Sequence, residues 1–139
     1  MVSAGLLACP PMATEELVRL DIPALPAFVG VARSVVTTVA TSVEGIDDDR
    51  LDDLRLAVSE ACTNAVEGRE AGNHRVVLRC VLDGEHFDVH IEDASEGFSA
   101  EAIAERGWGL QLITALVDDV SFARQGDGTS VTLRMTLHG

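Results

Sequence analysis

Apolar and polar residues alternate in five short stretches of the chain, a period of two that is typical of strands with one buried face. The predicted strands cover residues 15–22, 74–82, 86–93, 119–125 and 129–137. Two glycine-containing turns, Asp83-Gly84-Glu85 and Gly126-Asp127-Gly128, separate the second strand from the third and the fourth from the fifth. The pattern therefore predicts two β-hairpins preceded by a single strand, with Leu17, Leu20 and Ile22 of that strand facing inward.

Three other stretches repeat apolar residues every three or four positions, which is the spacing of an amphipathic helix. The first predicted helix runs from Leu25 to about Ser42, despite its many β-branched residues. The second begins near Asp47 or Asp48, because acidic residues suit the positive end of a helix dipole. A shorter third helix begins near Trp108.

The order of these elements is strand, two helices, hairpin, helix, hairpin. Strands gathered into hairpins favour antiparallel pairing, and helices bunched between them favour a separate layer. The sequence therefore predicts an α+β fold, a two-layer sandwich in which three helices cover one face of a mostly antiparallel sheet of about five strands.

Length and composition restrict the domain organisation. With 139 residues, 47% of them hydrophobic, the chain is long enough for one buried core and too short for two. We expect residues 1–13 to form a flexible tail and residues 14–139 to form a single domain. No apolar run approaches the roughly 20 residues of a membrane span, and no basic region precedes the short apolar run at the start. The expected compartment is the cytoplasm.

Charge and cysteine usage exclude further classes of function. Ten basic and 23 acidic residues give a formal net charge of −13, which repels nucleic-acid phosphates. Any action on transcription would therefore pass through another protein. The cysteines, Cys9, Cys62 and Cys80, are odd in number and lack CxxC spacing, so we interpret them as buried or idle thiols.

Glu60 and Asn64 form the first candidate for chemistry. They are four residues apart on the second predicted helix, so their side chains leave neighbouring turns of one face. This places a potential base beside a potential metal ligand. Taken alone, a carboxylate and an amide at this spacing are more often a polar helix edge.

Three later positions could contact a ligand. Asp93 ends a strand before the apolar period is lost over residues 94–107, and its carboxylate could accept a hydrogen bond from an exocyclic amine or simply form an Asx-type turn. Gly107 and Gly109 flank Trp108 at a helix start, where backbone N–H groups could approach a phosphate or where the chain is merely flexible. Thr129 could bind a ligand, although a hairpin threonine needs no such reason.

The order of these motifs along the chain resembles the GHKL ATPase superfamily. The motifs are E-x-x-x-N at Glu60, D-x-x-x-G at Asp93, G-x-G-L at Gly107 and a late Gly128-Thr129. The segments LRLAVSEACTNAV and RGWGLQLITALVDDVSF are similar in particular to small bacterial anti-sigma-factor serine kinases. The resemblance covers roughly residues 14 to 138, which is nearly the whole chain.

The resemblance implies a role for each matching residue. Asn64 would coordinate Mg²⁺ bridging the ATP phosphates, Glu60 would act as general base, and Asp93 would accept a hydrogen bond from the adenine amine. Residues 98–106 would form the lid. The other nucleotide-binding positions would be Gly97 near the base, then Gly107, Trp108, Gly109 and Leu110 on the phosphate side, and Thr129 on the adenine side.

The implied function is that of an ATP-dependent anti-sigma-factor serine kinase, which sequesters a sigma factor and phosphorylates an anti-anti-sigma partner on serine. Relatives of this kind are commonly homodimers, and no nucleic-acid or membrane partner is expected. The chain departs from the usual pattern at Ser95, where relatives commonly have glycine, and at Gly68-Arg69, where they often have His-Ala. The nine-residue lid has a single basic residue, Arg106. These departures keep open a non-catalytic binding module with the same fold, whereas a detached sensor-kinase domain fits less well because the lid is short.

Overall fold

The protein is built on a five-stranded antiparallel sheet. The computed structural model describes residues 14–67, 74–93, 108–125 and 128–138. The spatial order is β1-β2-β3-β5-β4, and each neighbouring pair is antiparallel. The strands are β1 (Thr14–Pro23), β2 (Arg75–Asp83), β3 (His86–Asp93), β4 (Asp119–Gln125) and β5 (Gly128–Thr136). Both predicted hairpins are confirmed, and the second one adds its last strand next to β3.

Three α-helices in the described residues, α1 (Val29–Thr41), α2 (Asp48–Glu67) and α3 (Trp108–Leu116), confirm the predicted helical layer. The predicted start of the first helix at Leu25 was wrong, because Leu25 is extended and Pro26–Phe28 form a 3₁₀ turn before α1. A residue before proline is disfavoured in helical conformation, which explains the delay. The prediction for α2 is confirmed, since Asp47 caps it by accepting the backbone N–H of Arg50 at 2.9 Å.

The hydrophobic core lies between the helices and one face of the sheet. Small residues of α2, Ala57, Ala61 and Ala65, are fully buried and let the helix backbone lie close to the sheet. Other core side chains come from α1, α2 and the central strands, and include Val36, Leu54, Leu78, Phe87, Ile91, Leu133 and Met135. Because α2 carries Glu60 and Asn64, its close approach fixes their height above the sheet.

Two irregularities set the register of the strands. A β-bulge between Glu16 and Val18 lets Leu17 pack against the core together with Leu20 and Ile22, although strict alternation would put Leu17 on the opposite face. Between β2 and β3 the loop is only Gly84-Glu85, shorter than the predicted three-residue turn. Gly84 has φ of 61°, which suits the first loop position of a type II′ hairpin.

The sheet face that points away from the helices carries ion pairs. Arg134 on β5 donates to both carboxylate oxygens of Asp88 on β3, at 2.9 and 2.8 Å, and to Asp83 at 3.0 Å. The hydrogen bond to Asp88 raises the pKa of Arg134. The Asp88 carboxylate is buried although it lies on the helix-free face, because Arg134 covers it. This three-residue group ties β2, β3 and β5 together.

A second polar group ties the start of α2 to the far end of the sheet. Arg50 contacts the Asp118 carboxylate and donates to the carbonyl of Thr136 at 2.6 Å, while the Thr136 N–H donates to Asp118 at 2.6 Å. Desolvation alone would raise the pKa of Asp118, but the Thr136 N–H and the Arg50 charge outweigh it and lower that pKa. These three contacts hold the start of α2 against the end of β5.

Candidate functional site

Glu60 and Asn64 lie one turn apart on α2, as their spacing predicts. Glu60 is half-buried, whereas Asn64 is buried with 6% of its surface exposed. Both belong to the half of α2 that ends at Glu67. Glu60 therefore keeps part of its surface open to solvent, while Asn64 is held among protein atoms.

Asp93 lies at the end of β3, and its side chain is fully buried. Its backbone is paired with Thr129 of β5 on one side and with Val76 of β2 on the other. The structure thus brings Asp93 and Thr129, which are far apart in sequence, directly opposite each other. Little water competes for a buried carboxylate. A hydrogen bond from a ligand to Asp93 would therefore form in surroundings of low dielectric constant.

His74 joins Asp93 to α2 and was not among the predicted site residues. Its Nε2 atom lies 3.2 Å from Asp93 Oδ1 and 3.2 Å from the backbone carbonyl oxygen of Ala65. Ala65 follows Asn64 directly on α2, the helix that also carries Glu60. One imidazole nitrogen therefore lies between this helix and the carboxylate of Asp93, the candidate contact for adenine. No sequence signal could have identified this residue, since it stands at the edge of an ordinary strand pattern.

The remaining predicted residues are placed in part. Trp108, Gly109 and Leu110 form the first turn of α3, as the predicted helix start requires. Gly97 and Gly107, the lid at residues 98–106, and the departures at Ser95 and Gly68-Arg69 lie outside the described residues.

Comparison with known proteins decides the family. A model of the histidine kinase-like ATPase domain matches residues 22–135. The serine-protein kinase RsbW of Oceanobacillus iheyensis is 34% identical over 134 residues, which cover 82% of this chain and 83% of that protein. The chain belongs to the RsbW family of histidine kinase-like ATPases.

Other relatives agree with this family. The serine-protein kinase RsbW of Bacillus subtilis is 30% identical over 139 residues, covering 87% of this chain and 84% of that protein. A crystal structure of the RsbU and RsbW domains of Rv1364c from Mycobacterium tuberculosis superposes with a TM-score of 0.67 at 22% identity. The match covers 86% of this chain but 31% of that longer protein, and it supports the fold.

The predicted metal ligand of this RsbW-family domain is Asn64. Within the described ranges, no three His, Cys, Asp or Glu side chains are grouped to bind a metal ion by themselves. Mg²⁺ commonly takes one or two protein oxygens and completes its shell with substrate phosphates and water. One amide oxygen from Asn64, on the helix that also carries Glu60, is compatible with that pattern.

Thiol chemistry is disfavoured in the RsbW-family domain. Cys62 lies on α2 between Glu60 and Asn64, and its burial raises the pKa of the thiol to about 12. Burial likewise raises the pKa of Cys80 on β2 to about 12. Both thiols are therefore protonated near neutral pH and inert as nucleophiles, which confirms their interpretation as buried cysteines. Cys9 lies outside the described residues.

None of the helices in the described ranges combines the length and the hydropathy needed to cross a bilayer.

Proposed function

We propose that this RsbW-family protein is an ATP-dependent serine-protein kinase whose site lies between the second half of α2 and the ends of β3 and β5. One observation carries the proposal. The carbonyl of Ala65, next to Asn64, and the carboxylate of Asp93 both lie 3.2 Å from the same nitrogen of His74. This contact links the part of α2 that carries Asn64 to Asp93, which supports assigning phosphate chemistry and adenine recognition to one site.

In this proposal Glu60 accepts the proton of the attacking serine hydroxyl. The serine oxygen forms a bond to the γ-phosphorus of ATP, the bond to the β-phosphate oxygen breaks, and ADP leaves. Half-burial suits this role, because the carboxylate must meet a hydroxyl from another protein. Phosphoryl transfer depends mainly on positioning the reactants and on neutralising their charge. The protein therefore needs to supply only one correctly placed base for the proton transfer.

Nucleotide binding is assigned to the remaining residues. Asn64 would supply a ligand to Mg²⁺, which neutralises phosphate charge when it is bound. Asp93 would accept a hydrogen bond from the exocyclic amine of adenine, with Thr129 opposite it. The first turn of α3 would face the phosphates, since unpaired N–H groups at a helix start favour anions.

The partners follow from the resemblance to anti-sigma kinases. The protein would sequester a sigma factor and phosphorylate a serine of an anti-anti-sigma protein, acting as a homodimer in the cytoplasm. A net charge of −13 fits regulation through a protein rather than through direct contact with nucleic acid. The alternative is a non-catalytic module that binds the sigma factor without transferring phosphate, and the departures at Ser95 and Gly68 favour it.

Phosphate transfer from Mg-ATP to candidate anti-anti-sigma proteins of the same genome tests the proposal. The Glu60→Gln variant should bind nucleotide and sigma factor normally but transfer phosphate roughly 10²-fold more slowly, because it lacks the base. The Asn64→Ala variant should lose Mg-dependent nucleotide binding as well.

Glu67→Gln is the matched control, since it removes a carboxylate two turns further along the same helix. It should transfer phosphate at the wild-type rate. If wild type transfers no phosphate yet holds a sigma factor, or if Glu60→Gln is as active as wild type, the kinase assignment fails and the binding-module alternative replaces it.

A further inference from the structure

His74 makes two contacts from one nitrogen while its second nitrogen is buried. Nε2 lies 3.2 Å from Asp93 Oδ1 and 3.2 Å from the Ala65 carbonyl oxygen. The carbonyl oxygen can only accept a hydrogen bond, so Nε2 carries the hydrogen. Nε2 therefore donates its hydrogen to the helix end, and the Asp93 carboxylate lies within ion-pair distance of the same nitrogen.

Both side chains of this contact, His74 and Asp93, are buried. The His74 side chain is 9% exposed and that of Asp93 is fully buried. Nδ1 is buried with no hydrogen-bond partner among the described residues, which is a cost that an apolar side chain would avoid. What the histidine adds in return is the N–H group that faces Ala65 and Asp93.

The contact with Ala65 reaches the last turn of α2, where backbone carbonyls lack intrahelical donors. No basic residue of α2 itself lies in that turn. His74 thus supplies a donor to the helix end, and the same atom lies 3.2 Å from the carboxylate of Asp93. Movement of either the helix end or the carboxylate would disturb a contact of this one nitrogen.

We propose that His74 is a positioning residue for nucleotide recognition: it holds the Asp93 carboxylate in the orientation that accepts the adenine amine and sets its distance from α2. This inference rests on the proposed role of Asp93 in binding ATP. It assigns to His74 part of the preference for adenine over purines that lack the 6-amino group. His74 itself touches no reacting atom.

The test compares the affinities for Mg-ATP and for the Mg complex of purine riboside triphosphate, which lacks the 6-amino group. Calorimetry on the full chain should show that His74→Leu binds ATP roughly tenfold more weakly, the scale of one hydrogen bond to a charged group. Its affinity for the analogue should change less than about twofold, since no amine is read there. His74→Gln keeps an N–H donor at similar reach and should recover most of the affinity for ATP.

His86→Leu is the matched control, because His86 begins the strand that Asp93 ends. It should leave both affinities unchanged. Equal losses for ATP and analogue in His74→Leu would reduce His74 to a structural cap of α2 and overturn the proposal, as would wild-type affinity in His74→Leu.

Asp93→Asn separates this inference from the proposed function. If Asp93→Asn leaves the preference for ATP over the analogue intact, Asp93 does not read adenine and the proposed site fails. If Asp93→Asn abolishes the preference and His74→Leu preserves it, only the role of His74 fails. In an Asp93→Asn background, His74→Leu should cause no further loss.

A measurement on the wild type covers the case in which His74→Leu does not fold. Imidazole ¹⁵N resonances should show a hydrogen on Nε2 of His74, and its signals should shift on addition of Mg-ATP but much less on addition of the analogue. An Nδ1–H tautomer, or equal shifts with both nucleotides, would contradict the proposal.

Discussion

Replacing Arg134 by methionine tests whether burial decides the strength of an ion pair in this sheet. Arg134 makes two hydrogen bonds to Asp88, at 2.9 and 2.8 Å, and the Asp88 side chain is 4% exposed. Losing the guanidinium leaves a buried carboxylate without its cation, a change that typically costs about 3–5 kcal/mol. Because Arg134 is 34% exposed, water can enter the vacated space. We therefore expect a loss of about 2–3 kcal/mol in the free energy of unfolding.

Arg75 provides the matched control within the same sheet. It contacts Asp21 at 2.6 Å, but the two side chains are 58% and 57% exposed. An exposed pair contributes about 0–1 kcal/mol, so Arg75→Met should have little effect. For a domain of this size each kcal/mol corresponds to roughly 3–5 °C in Tm, which predicts a fall of about 6–15 °C for Arg134→Met.

Urea unfolding followed by circular dichroism measures the difference, with equal m-values required for the comparison. The double variant Arg134→Met with Asp88→Asn should recover at least half of the loss, because the buried charge is gone. Equal losses in Arg134→Met and Arg75→Met, or no recovery in the double variant, would refute the role of burial. ATP affinity should not change in folded Arg134→Met, since Arg134 lies on the face away from α2.

Three further predictions concern the site and the titrating groups. Asp93→Asn should weaken ATP binding by about 1–3 kcal/mol in calorimetry, and an unchanged affinity with an intact fold would exclude its role. Iodoacetamide at pH 8 should label Cys62 and Cys80 only after unfolding, because burial raises each thiol pKa to about 12, and rapid native labelling in mass spectrometry would contradict this. Burial and the charge of Arg79 lower the pKa of His90 in the folded protein. As the pH falls below about 6.5, His90 is protonated in the unfolded chain before it is protonated in the folded one, and this favours unfolding. Stability should thus decrease from about pH 6.5 downward and less so in His90→Gln, and parallel pH profiles of the two proteins would disprove the linkage.

Local pattern was sufficient for the elements and for the spacing of two candidate residues on α2. The alternation of apolar residues marks β3, and the three-to-four spacing marks α2, because each period depends only on which face of one segment is buried. The spacing of Glu60 and Asn64 is of the same kind, since a helix alone brings residues four apart together. Where local geometry was special, at Leu25 before Pro26, the boundary moved for an equally local reason.

Tertiary structure decided the contacts between distant segments. The place of β5 between β3 and β4 sets Asp93 opposite Thr129, and the pairing of Arg134 with Asp88 joins residues 46 positions apart. His74 contacts Asp93 and Ala65 only because β2 begins beneath the end of α2. The register of a strand depends on how whole hydrophobic faces close against each other, which no single segment specifies. The sequence by itself thus determined the elements and the candidate residues, and the packed fold determined which distant segments lie against each other.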